Sequence, residues 1–541
     1  MKQLKNYELY KHTPVFTTRE LISYCDEKYG SAPAFIYEKK KNDVTVSYTD
    51  FKNQVEALGT YLFDKGYRNC HIAVFGENSY EWILTHFAVT TGGNVIVPID
   101  KELEADDIEY LLRDSDCKAI FYSNTYLDII ETLEERNIEG LSFFSLKKVS
   151  KMIEKGVSMI AEGNREYFDS KVDKNSLASI VYTSGTTGKS KGVMLTHNNF
   201  CSSMYGACCN AYLYGTTILV LPLHHTFGLT AGVLAVMFYG NKICINKSLR
   251  NLAADFKKYQ PNHVFGVPLM IETLHRNVWA NAKKQGKDKL LRTLMKISDG
   301  LFNMGIDLRR KLFKSVIDGF GGNLNLLVSG GAPVDEKHLK DFTSFGITVL
   351  NGYGITECGP IVAVNRNKFN IHGSVGIPLC CNEVKIAEDG EILVKGDNVM
   401  VGYYNNEAAN KEVFTDDGWF RTGDLGSFDE YGALHITGRI KNLIILGNGE
   451  NIPAESIEQD IYTIPYVKEA IAYGEDNVIV AEVFLDEETP DARDMIDADI
   501  QKINHNLPQV RNIGKVVIRD TEFPKTTTRK IKRNYGGKNN A

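Results

Sequence analysis

A loop rich in glycine, hydroxyl and lysine side chains has the chemistry to hold a polyphosphate. Between Thr183 and Gly192 stand five Ser/Thr hydroxyls, three glycines and two lysines, directly after the apolar run 177–181. Glycines let backbone N–H groups turn inward, hydroxyls donate hydrogen bonds, and lysines supply positive charge. A flexible surface loop is the alternative for such a cluster, but the two lysines after a predicted strand favour phosphate binding.

The loop is not the common nucleotide-binding P-loop, because Thr183 stands where the first glycine of G-x-x-x-x-G-K-[ST] is required. It resembles instead the T-S-G-T-T-G-x-x-K-G motif of the adenylate-forming enzymes, which include acyl-CoA synthetases, luciferases and adenylation domains. Every fixed position of that motif is met. The resemblance implies ATP/AMP binding by Thr183, Ser184, Gly185, Thr186, Thr187, Gly188 and Lys191.

Four further segments resemble motifs of this family and occur in the family's order. They are NGYGITE at 351–357 (adenine and magnesium), GWFRTGD at 418–424 (ribose), GRIKN at 438–442 (hinge) and PKTTTRKIKR at 524–533 (catalytic lysine). Each segment alone would be weak evidence for the family, but their number and order extend the resemblance along most of the chain.

The resemblance also implies the catalytic groups. Lys530 would neutralise charge on the substrate carboxylate and the α-phosphate, and Thr356 would contact phosphate. Glu357, with Thr186, would hold Mg²⁺, which prefers one or two carboxylates together with phosphate oxygens. Many members carry glycine before the catalytic lysine, whereas Arg529 stands here. Long-chain acyl-CoA synthetases commonly lack that glycine, so the difference favours this branch.

The nucleotide and the acid are assigned further contacts on the same basis. Asp424 would accept hydrogen bonds from the ribose hydroxyls, Tyr353 would lie on adenine, and Lys441 would be the hinge between domains. The remaining predicted nucleotide contacts are Gly330, Gly331, Ala332, Pro333, Asn351, Gly352, Gly354, Thr356, Arg439 and Lys530.

The acyl pocket is predicted along the apolar stretch that follows Pro222. His225, Gly228 and Gly352 would line it, and His225 is assigned no proton transfer. Relatives that activate amino acids have an aspartate near this point, which holds the ammonium group of the substrate. No aspartate stands near His225. This absence favours a carboxylic acid without an α-amino group.

Composition limits the partners. The chain has 541 residues and a net charge of −6, so no nucleic acid is expected as a partner. Its ten cysteines show neither disulfide nor zinc spacing, and residues 1–8 are too polar for a secretory signal. We therefore expect a cytoplasmic protein with reduced thiols, with peripheral membrane contact if the acid is long-chain.

Alternating strand and helix patterns predict an α/β fold with parallel strands. Strands are expected at 72–75, 95–98, 119–122, 218–222, 242–245 and 263–267, and helices at 48–64, 80–91 and 105–114, with 281–307 helical over much of its length. After residue 376 a small antiparallel β subdomain is expected. The predicted domains are 1–440, for adenylation, and 441–541, a mobile α+β domain that carries Lys530.

The sequence therefore predicts an acyl-CoA synthetase that uses ATP, Mg²⁺ and CoA to activate a carboxylic acid, with a fatty acid favoured. One alternative is an acyl- or aryl-AMP ligase that loads the phosphopantetheine thiol of an acyl carrier protein. A second is a non-catalytic nucleotide-binding relative, which the presence of Lys530, Glu357 and Asp424 disfavours.

Overall fold

In a computed structural model, the chain forms two compact units. One unit contains residues 1–383 and 394–420, and the other contains 384–393 and 421–541. The described residues are 6–183, 190–246, 248–332, 334–446, 451–486, 489, 491–525 and 531–533. The predicted domain boundary at residue 440 stays a prediction.

The strands are short, and those at the centres of the sheets are buried. In chain order they are β1 Pro33–Lys39, β2 Asn42–Ser47, β3 His71–Phe75, β4 Val95–Ile99, β5 Cys117–Tyr122, β6 Ser142–Ser145, β7 Leu177–Thr183, β8 Lys191–Thr196, β9 Thr216–Leu219, β10 Lys242–Ile245, β11 His263–Gly266, β12 Leu326–Ser329, β13 Thr348–Gly354, β14 Ile361–Val364, β15 Ile377–Pro378, β16 Asn382–Ile386, β17 Glu391–Gly396, β18 Gly402–Tyr403, β19 Phe420–Phe428, β20 Leu434–Arg439, β21 Leu443–Ile445, β22 Asn451–Pro453, β23 Val467–Glu475, β24 Val478–Leu485 and β25 Ile513–Arg519.

The helices of the first unit connect most of its parallel strands. In chain order the α-helices are α1 Thr18–Tyr29, α2 Tyr48–Asp64, α3 Tyr80–Thr91, α4 Ala105–Asp114, α5 Leu127–Glu135, α6 Val149–Ala161, α7 Glu166–Asp169, α8 His197–Asn210, α9 Thr226–Leu229, α10 Ala235–Phe238, α11 Leu252–Tyr259, α12 Pro268–Lys284, α13 Asp288–Asn303, α14 Arg309–Leu312, α15 Lys314–Gly319, α16 Glu336–Ser344, α17 Glu407–Val413, α18 Ala454–Ile461 and α19 Ala492–Asn506. A π-helical turn, Thr230–Leu234, joins α9 to α10.

Two large sheets form the first unit. One has the strand order β18-β8-β7-β4-β3-β5-β6 and the other β15-β14-β13-β12-β11-β9-β10-β1-β2. Parallel pairs such as β3 with β4 and β12 with β13 form their centres. Crossover helices cover such sheets, so the central strands are largely apolar.

Three smaller sheets belong largely to the second unit. Their strand orders are β16-β17-β19-β20, β21-β22 and β23-β24-β25. Helix α18 packs its buried residues Ala454, Ile457 and Ile461 into the apolar cluster beneath the three-stranded sheet. In the described part of both units, no helix is long and apolar enough to cross a bilayer.

Capping explains why helices begin next to the predicted phosphate loop and elsewhere. Thr196 accepts a hydrogen bond from the Asn199 N–H, and the Asn199 side chain accepts from the Thr196 N–H, so α8 starts directly after β8. Ser47 and Asp50 make the same reciprocal pair at the start of α2. Residues 281–307 are helical over much of their length, as predicted, but in two helices, because α12 ends at Lys284 and Gly286 takes φ +67° before α13.

Candidate functional site

The predicted phosphate loop connects the two strands of an antiparallel hairpin. β7 pairs with β8 in a register that places Thr183 opposite Lys191 and Tyr182 opposite Gly192. Such partners lie about 5 Å apart between Cα atoms, so both ends of the loop are fixed close together. Ser184, Gly185, Thr186, Thr187 and Gly188 lie outside the described residues.

A buried tyrosine joins this hairpin to the predicted magnesium ligand. Tyr403 is 6% exposed, and its hydroxyl donates a 2.8 Å hydrogen bond to Glu357 Oε1. The Lys191 ammonium lies 5.1 Å from the centre of the Tyr403 ring, within cation–π range. Burial first, and then the Glu357 charge, raise the pKa of Tyr403, so it remains a proton donor. Two predicted motifs therefore meet at a residue that the sequence analysis missed.

The backbone around Glu357 is held by buried amides. Its carbonyl accepts from the Met400 N–H at 2.8 Å. The Asn398 amide, which is fully buried, donates to the carbonyls of Cys358 at 3.1 Å and Ile361 at 2.8 Å. Thr356 and Glu357 therefore project from a turn, Thr356–Cys358, that cannot shift without breaking buried hydrogen bonds.

The predicted adenine segments lie side by side where the parallel pairing of β12 with β13 ends. β12 and β13 pair with Ser329 opposite Asn351, so residues 330–332 and 352–354 follow at the same edge of the sheet. Gly331 has φ +91°, which favours glycine. A Cβ at Gly354 would lie 1.8 Å from the Pro360 carbonyl oxygen, so only glycine fits. This edge is where ligands bind in open α/β sheets; Pro333 is outside the described residues.

Two buried polar atoms at this edge lack hydrogen-bond partners within the described residues. They are Ser329 Oγ and Asn351 Oδ1, and Ser329 is 1% and Asn351 8% exposed. Leaving such atoms unpaired costs about 1–3 kcal/mol each. A ligand that offers both a donor and an acceptor, as an adenine edge does, would satisfy them. Tyr353, two residues after Asn351 in the chain, is half-buried.

The predicted acyl segment is fixed by a side chain that the sequence analysis did not select. Asn78 donates from Nδ2 to the Leu221 carbonyl at 2.8 Å and accepts from the Leu223 N–H at 3.0 Å. These bonds hold the loop that leads to His225, which is half-buried at the start of α9. The strand predicted over 218–222 therefore ends at Leu219.

The two glycines predicted to line the acyl pocket differ in the space around them. A Cβ on Gly228 would lie 2.2 Å from the Pro222 carbonyl oxygen, so Gly228 permits a close backbone contact. A Cβ on Gly352 would meet the Ala363 carbonyl oxygen at 3.3 Å. Phe227 packs against Gly330, whose added Cβ would lie 3.0 Å from its ring. The segment 228–238 is buried throughout.

In the second unit, strand pairing brings the predicted ribose residues together. β19 and β20 place Asp424 opposite Arg439, and Arg439 Nε lies 2.7 Å from Asp424 Oδ1. The Asp424 side chain is 3% exposed and that of Arg439 is 41% exposed. A buried carboxylate that an arginine orients is an acceptor of the kind that hydroxyl groups bind.

Lys441 lies next to this pair, in the turn Ile440–Asn442. Although part of its side chain reaches solvent, burial first and then the positive charge of Arg439 lower the pKa of its ammonium group. The next residue, Asn442, donates from Nδ2 to Glu455 Oε1. The predicted hinge role of Lys441 stays a prediction.

The two ends of the predicted catalytic-lysine motif are pinned inside the second unit. Lys525 and Ile531 form an antiparallel bridge, and the Lys532 N–H donates to the Pro524 carbonyl at 2.7 Å. Arg533 Nη2 donates to Glu458 Oε2 at 2.6 Å. Burial raises the pKa of Glu458, while Arg533 opposes that shift. Lys530 lies between these anchors but outside the described residues.

The fold and these paired motifs define the class of adenylate-forming enzymes, and the comparisons with known proteins agree. Residues 24–404 match the family model described as AMP-binding enzyme. A long-chain-fatty-acid–CoA ligase, FadD15, of Mycobacterium bovis is 28% identical, over 94% of this chain and 95% of the relative. Long-chain-fatty-acid–CoA ligase 5 of Mus musculus is 30% identical, over 80% of this chain and 69% of the relative. The solved structure of a Mycobacterium tuberculosis fatty acyl CoA synthetase has a TM-score of 0.68 at 20% identity, over 96% of this chain and 97% of that one.

This chain belongs to the AMP-binding enzyme family. The predicted family and the predicted α/β fold class are confirmed, and the prediction of an adenylate-forming ligase is confirmed at the level of this family. The roles assigned to individual site residues stay predictions.

Proposed function

We propose that this chain couples a fatty acid to CoA in two steps that use ATP. In the first step the carboxylate oxygen attacks the α-phosphorus, the bond to the β-phosphate oxygen breaks, and acyl-AMP and pyrophosphate result. In the second step the CoA thiolate attacks the acyl carbon, AMP leaves with the bonding electrons, and the thiol proton passes to solvent. The first step gives the acyl group a good leaving group, AMP, and the second step uses the departure of AMP to form the thioester.

One observation carries the proposal: Lys191, Tyr403 and Glu357 form a continuous contact between the phosphate hairpin and the turn after β13. A cation and a carboxylate held at a fixed separation can bind opposite faces of a metal–polyphosphate complex. Because the three residues come from distant parts of the chain, a surface loop does not explain their meeting. This arrangement supports phosphoryl chemistry at this edge.

Glu357, together with Thr186, would hold Mg²⁺. The carboxylate is half-buried, and Tyr403 engages one of its oxygens while a carboxylate offers several acceptor positions. A single oriented carboxylate beside a phosphate loop fits an ion that keeps waters and phosphate oxygens as its other ligands. Mg²⁺ would neutralise charge on the phosphate oxygens.

The nucleotide base would take the edge formed by Ser329 and Asn351, whose unpartnered polar atoms are described above. The ribose would take the Asp424 carboxylate, which Arg439 orients. Lys530 would supply positive charge to the carboxylate and the α-phosphate during adenylation. The described residues on either side of that lysine, Lys525 and Arg533, are both held within the second unit, which supports this role.

A fatty acid is proposed because the buried segment 228–238 carries no charged side chain and because the named relatives act on long-chain fatty acids. Each methylene buried contributes about 0.8 kcal/mol, or about fourfold in kcat/KM. Activity should therefore rise with chain length until the pocket is full. Since Pro222 excludes any side chain at Gly228, a substitution there would disturb folding before it altered chain preference.

The decisive experiment measures pyrophosphate release from ATP across acids of two to eighteen carbons, each with and without CoA. We expect release to increase with chain length, and acyl-CoA and AMP to appear only when CoA is added. Acyl-AMP that accumulates with CoA but is consumed by a phosphopantetheinylated carrier protein would establish the carrier-loading alternative. No release with any acid would establish the non-catalytic alternative.

A second experiment separates the two half-reactions. Lys530→Ala should abolish adenylation yet largely preserve thioester formation from supplied acyl-AMP, because the lysine is needed only while pyrophosphate departs. Lys532→Ala, which removes an exposed lysine two positions away, is the matched control. Equal loss of both half-reactions in a folded Lys530 variant would contradict the assignment.

A further inference from the structure

A histidine pair and an aspartate meet where two loops of the first unit come together. Asp100 follows β4, and His224 and His225 lie in the loop between β9 and α9. One donor atom from each side chain lies within 4.8 Å of the other two. The two imidazole rings have centroids 4.3 Å apart and are tilted by 48°, so they are neighbours rather than a stacked pair.

The contact between His224 and Asp100 differs from an ordinary histidine–aspartate pair. His224 Nε2 lies 3.3 Å from Asp100 Oδ1, yet this buried nitrogen has no hydrogen-bond partner within the described part of the chain. His224 is 6% exposed, so water does not readily compensate. A buried imidazole nitrogen without a hydrogen bond, beside a carboxylate oxygen, suits a shared cation.

Other histidine–aspartate contacts in the same chain make the contrast clear. His275 Nε2 and Asp341 Oδ2 lie 2.8 Å apart and share a hydrogen bond. His435 Nε2 and Asp429 Oδ2 do the same at 3.0 Å. Both pairs satisfy the imidazole nitrogen directly, whereas His224 Nε2 is left without a bond.

The separation of 3.3 Å is also the separation of two ligands on one metal ion. Bonds of about 2.0–2.2 Å in tetrahedral geometry place neighbouring donor atoms about 3.3–3.6 Å apart. The third donor, from His225, lies within 4.8 Å of the other two. Asp100 Oδ1 also accepts from the Glu102 N–H at 3.0 Å, which orients the carboxylate.

We propose that Asp100, His224 and His225 bind a divalent transition-metal ion, with Zn²⁺ as the matching ion. Two imidazole nitrogens and one carboxylate oxygen are typical of zinc sites that keep a fourth position open, whereas Mg²⁺ prefers oxygen donors throughout. The site has a different donor set from the proposed magnesium site at Glu357, and it does not depend on the proposed function.

The test is a zinc titration of the full-length, untagged chain, stripped of metals and monitored with a chromophoric chelator as competitor. An excess of Mg²⁺ is present throughout, so that oxygen-only sites are filled. We expect one Zn²⁺ per chain, and Co²⁺ should give the visible absorption of a tetrahedral nitrogen–oxygen site. Asp100→Asn and His224→Gln should each weaken binding by at least about tenfold.

His435→Gln is the matched control, because it removes a histidine that is already hydrogen-bonded to an aspartate. It should bind Zn²⁺ as the wild type does. Absence of stoichiometric binding in the wild type would overturn the proposal, as would unchanged affinity in both site variants. If His224→Gln fails to fold, as judged by its melting curve, Asp100→Asn decides the outcome because its carboxylate is partly exposed.

Discussion

Replacing Tyr403 by phenylalanine tests the contact that carries the proposed function. The change removes the hydroxyl that donates to Glu357 Oε1 at 2.8 Å and keeps the ring that faces Lys191. A hydrogen bond to a charged group contributes about 1.5–3 kcal/mol. Loss of such an outer contact to a metal ligand typically lowers metal affinity by about 10–100-fold.

We therefore expect Tyr403→Phe to raise the Mg²⁺ concentration for half-maximal pyrophosphate release by about tenfold or more. The melting temperature should change little, because Glu357 is only half-buried and water can replace the lost donor. The assay follows initial rates at fixed, saturating ATP and acid while free Mg²⁺ is varied. Tyr404→Phe, which removes the neighbouring hydroxyl, is the matched control.

Glu357→Gln provides a second arm, since it removes the charge that faces the ion. It should shift the Mg²⁺ curve further than Tyr403→Phe does. The double variant should differ little from Glu357→Gln alone, because both changes act on one interaction. Superimposable Mg²⁺ curves for the wild type and a folded Tyr403→Phe would refute the reasoning and place the ion elsewhere.

Three further outcomes are expected. Asp424→Asn should raise the KM for ATP by about tenfold, with a smaller effect on kcat. The substitution removes the charge that pairs with Arg439 and the predicted acceptor for the ribose hydroxyls. An unchanged KM would show that Asp424 is not part of the nucleotide site. Arg533→Met should destabilise the second unit by about 3–5 kcal/mol, because the buried Glu458 carboxylate would lose its ion-pair partner. Faster hydrogen exchange of the amides in residues 454–485 would detect this change. Unchanged protection of those amides would contradict the prediction. Burial lowers the pKa of His86 to about 3, so the unfolded chain gains a proton below about pH 6.5 while the folded chain does not. Stability should therefore fall between pH 7 and pH 5, and His86→Phe should reduce that fall by about 2 kcal/mol in urea unfolding; an equal fall in both proteins would exclude this histidine as the cause.

The short-range structure followed from the sequence. Helix α2 begins and ends at the predicted residues, 48 and 64, because its capping pair and its apolar periodicity are local signals. Strands β3, β4 and β10 likewise match the predicted apolar runs within a residue or so. The motif order identified the family, because motifs are read along the chain.

The errors at element ends have local physical causes that the patterns did not reveal. β9 stops at Leu219 because Asn78 takes the backbone groups of Leu221 and Leu223 that a longer strand would have paired. The helical prediction for much of 281–307 is confirmed, but the pattern did not reveal the break between α12 and α13, where Gly286 has a positive φ. Side-chain competition for backbone hydrogen bonds depends on residues far away in the sequence.

Contacts between distant residues were decided by the tertiary structure alone. Nothing near Tyr403 in the sequence marks it as the partner of Glu357, and nothing near Asp100 marks it as the neighbour of His224. Sequence periodicity predicts which face of an element is apolar, but it does not specify which two elements meet or in what register. Packing of the sheets and the antiparallel pairing of β7 with β8 and of β8 with β18 fix those positions. The sequence therefore determined the family, while the fold determined which side chains of distant segments lie together.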